Sequence, residues 1–453
     1  MIEKLKQSRA AKIIGIILYF AIIISAVSYD VYVLTGENSP IKFGEDVSQE
    51  HHYEDEEEPE QDDDDSAKET AKATITVTGD IMSHMPIINS AYEAGAYRFD
   101  NIFAHISKYV SEADFAVGNL ETTLAGTENG NVYSGYPQFN CPDSIVDAAK
   151  NAGFDLLLTA NNHSYDTGAY GMKRTQEIVR EKGLLNLGTR LTAEEQKFIV
   201  QDINGIKVGM VCYTYGEIDS GSGRAAVNGI NISSEQSANI NVFDYAKLDK
   251  FYAEMEKHIA DMKEQGAEAI VLFIHWGVEY QTKENQDQRN IAKKMCELGV
   301  DVIAGGHPHV VQPVEILTTA ADSQHKTLCV YSMGNAVSNQ RSSVMNLKTG
   351  HTEDGMLFSF TFVKYSDGRV MLDSAEILPT WVYLSNGEYT ILPLDKEIAD
   401  WQTEFGIGTN SLNNANASYE RTMSLVEDGM DSAVIYLEES VSMYEAGVVA
   451  AVG

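Results

Sequence analysis

Cysteine is scarce in this chain. There are four in 453 residues, and none are spaced as Cys-x-x-Cys, which argues against a thiolate zinc site. Cys212 and Cys329 lie inside apolar, strand-like runs and read as core residues. Basic residues are few as well: 33 Lys and Arg stand against 67 Asp and Glu, for a net charge of −34. That balance argues against nucleic acid as a partner. No glycine-rich loop ends in Lys-Ser/Thr, so nothing points to ATP use. Beyond the N-terminal segment, no second apolar run reaches membrane-spanning length.

That N-terminal segment carries a clear polarity. Lys4, Lys6, Arg9 and Lys12 precede the uncharged run from Ile13 to Tyr29, slightly short of the ~20 residues that cross a bilayer. With Asp30 at the outer boundary, the run continues to Leu34. The pattern predicts a cytoplasmic basic segment over 1–12, a single-pass transmembrane anchor over 13–34, and everything after it outside the cell membrane. Ala26-Val27-Ser28 offers a competing signal-peptide cleavage site; either way the globular part lies outside the cytoplasm. Residues 35–72 form an acidic linker, with Glu54 to Glu58 and Asp62 to Asp65 at its centre. Such a block repels itself and buries no core, so it reads as an extended, disordered spacer. The main domain is expected over 73–385, with a helical extension over 386–453.

The rest of the chain is organised around Gly305-Gly306-His307-Pro308-His309. The β-branched run Val300 to Ile303 before it reads as a buried strand. Two glycines then free the backbone, and two imidazoles, the commonest transition-metal ligands, follow. Other apolar runs end in the same way. The run 73–78 alternates as a strand and leads to Gly79-Asp80, with His84 shortly after. Strands over 114–117, 154–159 and 269–274 end near Glu121, Asn162-His163 and His275. Helices are expected over 102–110, 142–152, 171–183, 246–265 and 286–298, and amphipathic helices over 417–446. The polar stretch to Asn241 carries no pattern. Val314 to Leu317 and Thr327 to Tyr331 look like paired strands. Strands alternating with helices predict an α/β fold, whose ligands bind outside the carboxyl ends of the strands.

Asp80, Glu121, Asn162, His275, His307 and His309 therefore form a candidate metal-ligand set, with His84 as a further candidate. Mixed oxygen and imidazole donors suit Mn, Zn or Fe, and six side chains suffice for two ions sharing a carboxylate. His163 is better placed as an acid than as a ligand, with Asp166 to orient it.

In this order, Gly79-Asp80, Asn119-Leu120-Glu121, Asn161-Asn162-His163 with Asp166, His275-Trp276-Gly277, Gly306-His307-Pro308-His309 and Ser332-Met333-Gly334-Asn335 resemble the capsule-synthesis CapA/PgsA family. That family is named for poly-γ-glutamate production and is itself similar to the calcineurin-like metallophosphoesterases. The likeness runs over about 74–339. It implies a two-sheet sandwich flanked by helices, a dinuclear-type site with Asn162 on metal and His163 as acid, and a membrane-bound polymer synthase or export complex whose ATP-using ligase is a separate chain. The sequence departs from the broader phosphoesterase pattern at two places. Ile81-Met82-Ser83 stand between Asp80 and His84, and Glu121 replaces a bridging aspartate. Three functions are in view: an anchored accessory protein for an anionic surface polymer, an extracytoplasmic phosphoesterase acting on a wall-polymer or lipid-linked phosphodiester, and a metal-free polymer-binding module.

Overall fold

The computed structural model describes residues 67–319, 325–395 and 402–445. The anchor expected at 13–34 and most of the acidic linker lie outside them. Among the described residues, no helix is long and apolar enough to cross a membrane.

The alternation over 73–78 becomes the middle of a longer strand, Glu69–Ile81 (β1). Phe115–Leu120 (β2), Leu156–Leu158 (β3) and Leu185–Leu187 (β4) follow on one side of it, all parallel. The first two are short, mostly apolar and buried throughout, as strands covered on both faces are, whereas β4 forms the edge and exposes Leu185. A second sheet is built from Phe198–Ile203 (β5), Ile206–Tyr215 (β6), Val242–Phe243 (β7), Ala269–His275 (β8), Val302–Gly306 (β9), Val314–Thr318 (β10) and Lys326–Val330 (β11). Its order is β7-β6-β8-β9-β11-β10, with β5 also on β6. The expected pair, β10 and β11, is antiparallel. The chain then returns to the first sheet through Asn335–Val337 (β12), Asp354–Tyr365 (β13), Val370–Ser385 (β14) and Glu388–Pro393 (β15), giving the order β15-β14-β13-β1-β2-β3-β4 with β12 beside β1.

The two sheets pack face to face. Ala73, Ile75 and Val77 of β1 share one buried cluster with Val271 and Phe273 of β8 and Val302 and Ala304 of β9. Helix Ser144–Asn151 (α1) covers the outer face of the first sheet with Ile145, Val146 and Ala149. Helix Gly168–Glu181 (α2) follows β3 and buries Val179 in the same layer. Leu248–Glu264 (α3) and Gln286–Leu298 (α4) cover the second sheet through Phe251, Met255, Ile259, Ile291 and Met295. The result is a mixed α/β sandwich.

Three expectations change. The helix expected over 102–110 is two short ones, Asp100–Phe103 and Ser107–Ser111, and both turns bury apolar residues in the outer layer. The patternless stretch before Asn241 holds strands of two or three residues, among them Ala225–Val227, and these pack on Tyr165 and Met172. The C-terminal region carries one long helix, Thr409–Glu445 (α5), which sends Val426, Met430, Ala433 and Leu437 into the main core. Because β15 pairs with β14, the boundary expected at 385 falls inside a hairpin.

Candidate metal centre

A strand's side chains alternate between faces, and that parity places the donors. On β2 the inner-face residues are Phe115 and Val117, and the same parity continues to Glu121. On β8 it runs from Ala269, Val271 and Phe273 to His275. After β3 it runs from Leu156 and Leu158 to Ala160, and the turn that follows carries Asn162. Each apolar series thus ends in a donor at the carboxyl rim. β1 would break the rule, since its inner residues are odd-numbered. A register shift between Thr78 and Asp80 corrects it, because a bulge adds one residue and flips the facing. Only glycine fits there: a Cβ on Gly79 would lie 2.1 Å from the Gly334 carbonyl oxygen.

The six expected donors converge. Asn162 Oδ1 stands 2.9 Å from His275 Nε2. Glu121 Oε1 is 3.6 Å from His275 Nε2 and 3.8 Å from His309 Nε2. His309 Nδ1 is 3.1 Å from Asp80 Oδ2, and the same oxygen accepts the His307 backbone N–H at 3.2 Å. Asp80 Oδ1 accepts from the Asn119 amide at 2.7 Å. The His307 and His275 rings are 4.8 Å apart. Donor atoms of Asp80, Glu121 and His275 lie within 4.8 Å of one another, and so do those of Glu279, His307 and His309. Glu279 was not anticipated. It lies four residues past the end of β8, where strand parity no longer applies.

The six expected side chains are buried, and several of their polar atoms have no hydrogen-bond partner. Neither Glu121 carboxylate oxygen has a hydrogen bond, nor has His307 Nδ1. A buried polar group left unmatched costs about 1–3 kcal/mol, so this donor set fits a divalent cation. Burial alone would raise the Asp80 pKa, but the His309 hydrogen bond and the nearby imidazoles hold it below the usual carboxylate value. Burial, then the charges of His275 and His309, push His307 well below the ordinary imidazole value. His309 goes the other way, to about 9: burial lowers it, but the Glu121 charge and the Asp80 hydrogen bond and charge outweigh that.

His163 sits beside this cluster in the turn after β3. Its Nδ1 is 2.7 Å from Asp166 Oδ2, as the acid–orienter reading expects. That same oxygen accepts the Phe139 N–H at 2.7 Å, and the Phe139 ring packs edge-on against His163 at 4.7 Å. His84 belongs to neither donor group. Its Nδ1 accepts the Asn339 N–H at 3.2 Å and its ring leans on Phe139. Burial brings its pKa down to about 4.

Residues 74–340 match the family model described as "Bacterial capsule synthesis protein PGA_cap". The chain is similar to "Capsule biosynthesis protein CapA" of Bacillus anthracis, 31% identical over 278 residues, which are 60% of this chain and 61% of that protein. It is also similar to "PGA biosynthesis protein CapA" of Bacillus subtilis (strain 168), 28% identical over 301 residues, 66% of this chain and 70% of the relative. Among solved structures, a Staphylococcus aureus protein provisionally named a 5'-nucleotidase, in complex with alpha-ketoglutarate, aligns at 13% identity with a TM-score of 0.41. That alignment covers 77% of this chain and 58% of that one.

Proposed function

The chain belongs to the bacterial capsule synthesis protein family, and from that premise we propose that it serves the synthesis or export of an anionic surface polymer, poly-γ-glutamate, from the outer side of the cell membrane. Residues 13–34 would anchor it, with 1–12 in the cytoplasm and the acidic linker as spacer. Its partners would be the membrane-bound synthase or export complex, with a separate ATP-using ligase, and the polymer itself. The observation that carries this reading is the convergence of Asp80, Glu121, Asn162, His275, His307 and His309 on one rim, all within the matched region.

These six side chains would hold two divalent ions of Mn, Zn or Fe. When bound, such a pair supplies an activated water and charge stabilisation for displacement at phosphorus. Here the chain's own contribution is positional: Asn162 and His275 meet across the two sheets, and Asp80 fixes His309 through its Nδ1. The test is polymer yield from cells carrying Asp80→Ala with Glu121→Ala, beside metal content of the purified protein. Loss of both is expected. Full polymer yield from a metal-free variant would overturn the reading.

A second reading, an extracytoplasmic phosphoesterase acting on a wall-polymer or lipid-linked phosphodiester, is favoured by the His163–Asp166 pair. His163 is held where it can donate a proton to a leaving oxygen. Phosphodiester turnover by purified protein would support it.

A further inference from the structure

We propose that Tyr136, Tyr215 and Tyr280 form an aromatic collar at the mouth of the donor cluster that holds the sugar ring of a glycosyl phosphodiester; this rests on the phosphoesterase reading and names its substrate class. The three phenols come from separate segments. Tyr215 is the last residue of β6. Tyr280 follows the turn after β8, and Tyr136 stands in the loop over 126–140.

Each segment sets an aromatic ring against a histidine. Tyr215 lies 4.7 Å from His307, and Tyr280 lies 6.3 Å from His309. Phe139, from the same loop as Tyr136, lies 4.7 Å from His163. That loop is firmly held. Asn140 is buried, and its amide donates to the Gly126 and Val132 carbonyls, both at 2.8 Å. A Cβ on Gly135 would lie 2.5 Å from the Met85 nitrogen, so the backbone before Tyr136 lies against the start of the next helix. Yet the Tyr136 ring is 75% exposed. A fixed backbone under an open ring is preorganised for binding.

Tyr280 is fixed in the same way. Its φ is +65°, a region that a bulky side chain rarely enters and that recurs at ligand clamps. Its N–H donates to the Pro308 carbonyl at 2.8 Å, and its hydroxyl accepts from the Gln340 amide at 3.3 Å. Burial, then the Glu279 charge, raises the pKa of both Tyr215 and Tyr280, and the Tyr136 phenol acts on Tyr280 as well. The phenols therefore gather around one region that contains the exposed Glu279. Val278 beside it is also more than half exposed, at 51%.

The lining selects the occupant. A sugar ring carries C–H bonds on its faces and hydroxyls at its edge. The faces pack on phenol rings, whose π clouds are negative. The hydroxyls meet the phenol O–H groups and the Glu279 carboxylate. That carboxylate disfavours a second anion among the phenols. A nucleobase is read by hydrogen bonds along its edge, but the amide beside the collar, Gln340, is spent on Tyr280 and on the Asn335 amide.

The test is turnover of three diesters by the full chain with Mn²⁺: hexosyl methyl phosphate, glyceryl methyl phosphate and thymidine methyl phosphate. One water cleaves each to a phosphomonoester and an alcohol, separated by chromatography. The hexosyl diester should have the highest kcat/KM, at least about tenfold above the glyceryl one, the usual scale of a ring stacked on an aromatic side chain. Tyr136→Ala should remove most of that ratio, and Tyr136→Phe, which keeps the ring, should retain it. Tyr136 is exposed, so both variants should melt as wild type does. Equal kcat/KM for the three diesters, a lead for the thymidine diester, or an unchanged ratio in Tyr136→Ala would overturn the collar and leave the phosphoesterase reading intact. If no diester turns over, that reading falls. Calorimetric binding of hexosyl methyl phosphate then decides the collar alone: about tenfold weaker binding to Tyr136→Ala supports it, and equal or absent binding overturns it.

Discussion

Asn162 Oδ1 lies 2.9 Å from His275 Nε2, an amide from the first sheet against an imidazole from the second. Between the sheets behind them lies an apolar cluster that carries Leu158, the last residue of β3, and Phe273, two residues before the end of β8. The donor cluster is therefore the place where that shared core ends. Stability and binding are coupled there, because whatever satisfies Glu121 and His307 also ties the sheets together.

Metal should stabilise the fold measurably. A ligand that binds only the native state at a hundred times its Kd contributes about 2.7 kcal/mol. Melting of wild type with excess Mn²⁺ and with chelator should differ by several degrees. Glu121→Gln, which removes the buried carboxylate, should abolish most of that difference. Identical wild-type melting curves in the two conditions would refute the assignment of these side chains as ligands.

Acid sensitivity should arise in part far from the centre. Glu254 on α3 pairs with Lys197 and lies 3.6 Å from His258 Nε2. Burial would raise its pKa, but the nearby His258 imidazole and the Lys197 charge and hydrogen bond bring it down to about 2. A depressed acid binds protons more readily when unfolded, so its stabilisation is complete above the ordinary value of 4.5 and fades as pH falls towards 2. The pair is partly solvated, so its contribution is of order 1 kcal/mol. Urea titrations should show Glu254→Gln less stable than wild type at pH 6, with the gap narrowing below pH 4.5. A gap independent of pH would show that the ion pair contributes nothing.

The basic segment before Ile13 and the acids after Leu34 motivate an N-in, C-out topology. Protease that reaches the outer face of the membrane in intact cells should cut the linker near Glu54 to Asp65. Digestion only after lysis would rule that topology out.

Much of the centre was legible because strand parity and apolar runs carry to the rim. Glu121 and His275 each continue an inner-face series, Asn162 follows in the turn after another, and Gly79 marks the bulge that brings Asp80 into line. Glu279 was not legible, since its position depends on the Gly277 turn and the Tyr280–Pro308 bond, contacts between residues far apart in sequence. His84 stands outside both donor groups. Its nearness to Asp80 in sequence suggests a ligand, and its Nδ1 accepts the Asn339 N–H. The long antiparallel strands β13 and β14 also escaped notice. The inner face of β13, as at Phe358 and Phe360, is apolar, but its partner β1 comes from the opposite end of the domain, and β14 joins the sheet only through β13 and β15.

The sharpest remaining test separates chemistry from scaffolding at His163. Asp166 Oδ2 accepts from both the His163 ring and the Phe139 N–H, so the acid is held by its own turn and by the loop ending at Phe139. None of the donor-group residues depends on it, since His163 is in neither group. His163→Ala should therefore keep its metal. If the protein is a phosphoesterase, turnover should fall by about 10²–10⁴-fold, the usual effect of losing a positioned acid. Asp166→Asn, which keeps an oxygen near the ring but removes its charge, should lose less. If the protein instead supports polymer assembly without hydrolysis, His163→Ala cells should make polymer normally, while Asp80→Ala with Glu121→Ala cells should not. The measurements are metal content, phosphodiester turnover and polymer yield on the same variants. A metal-replete His163→Ala protein whose cells make no polymer would count against the accessory role and for hydrolysis, because the substitution removes only a proton donor.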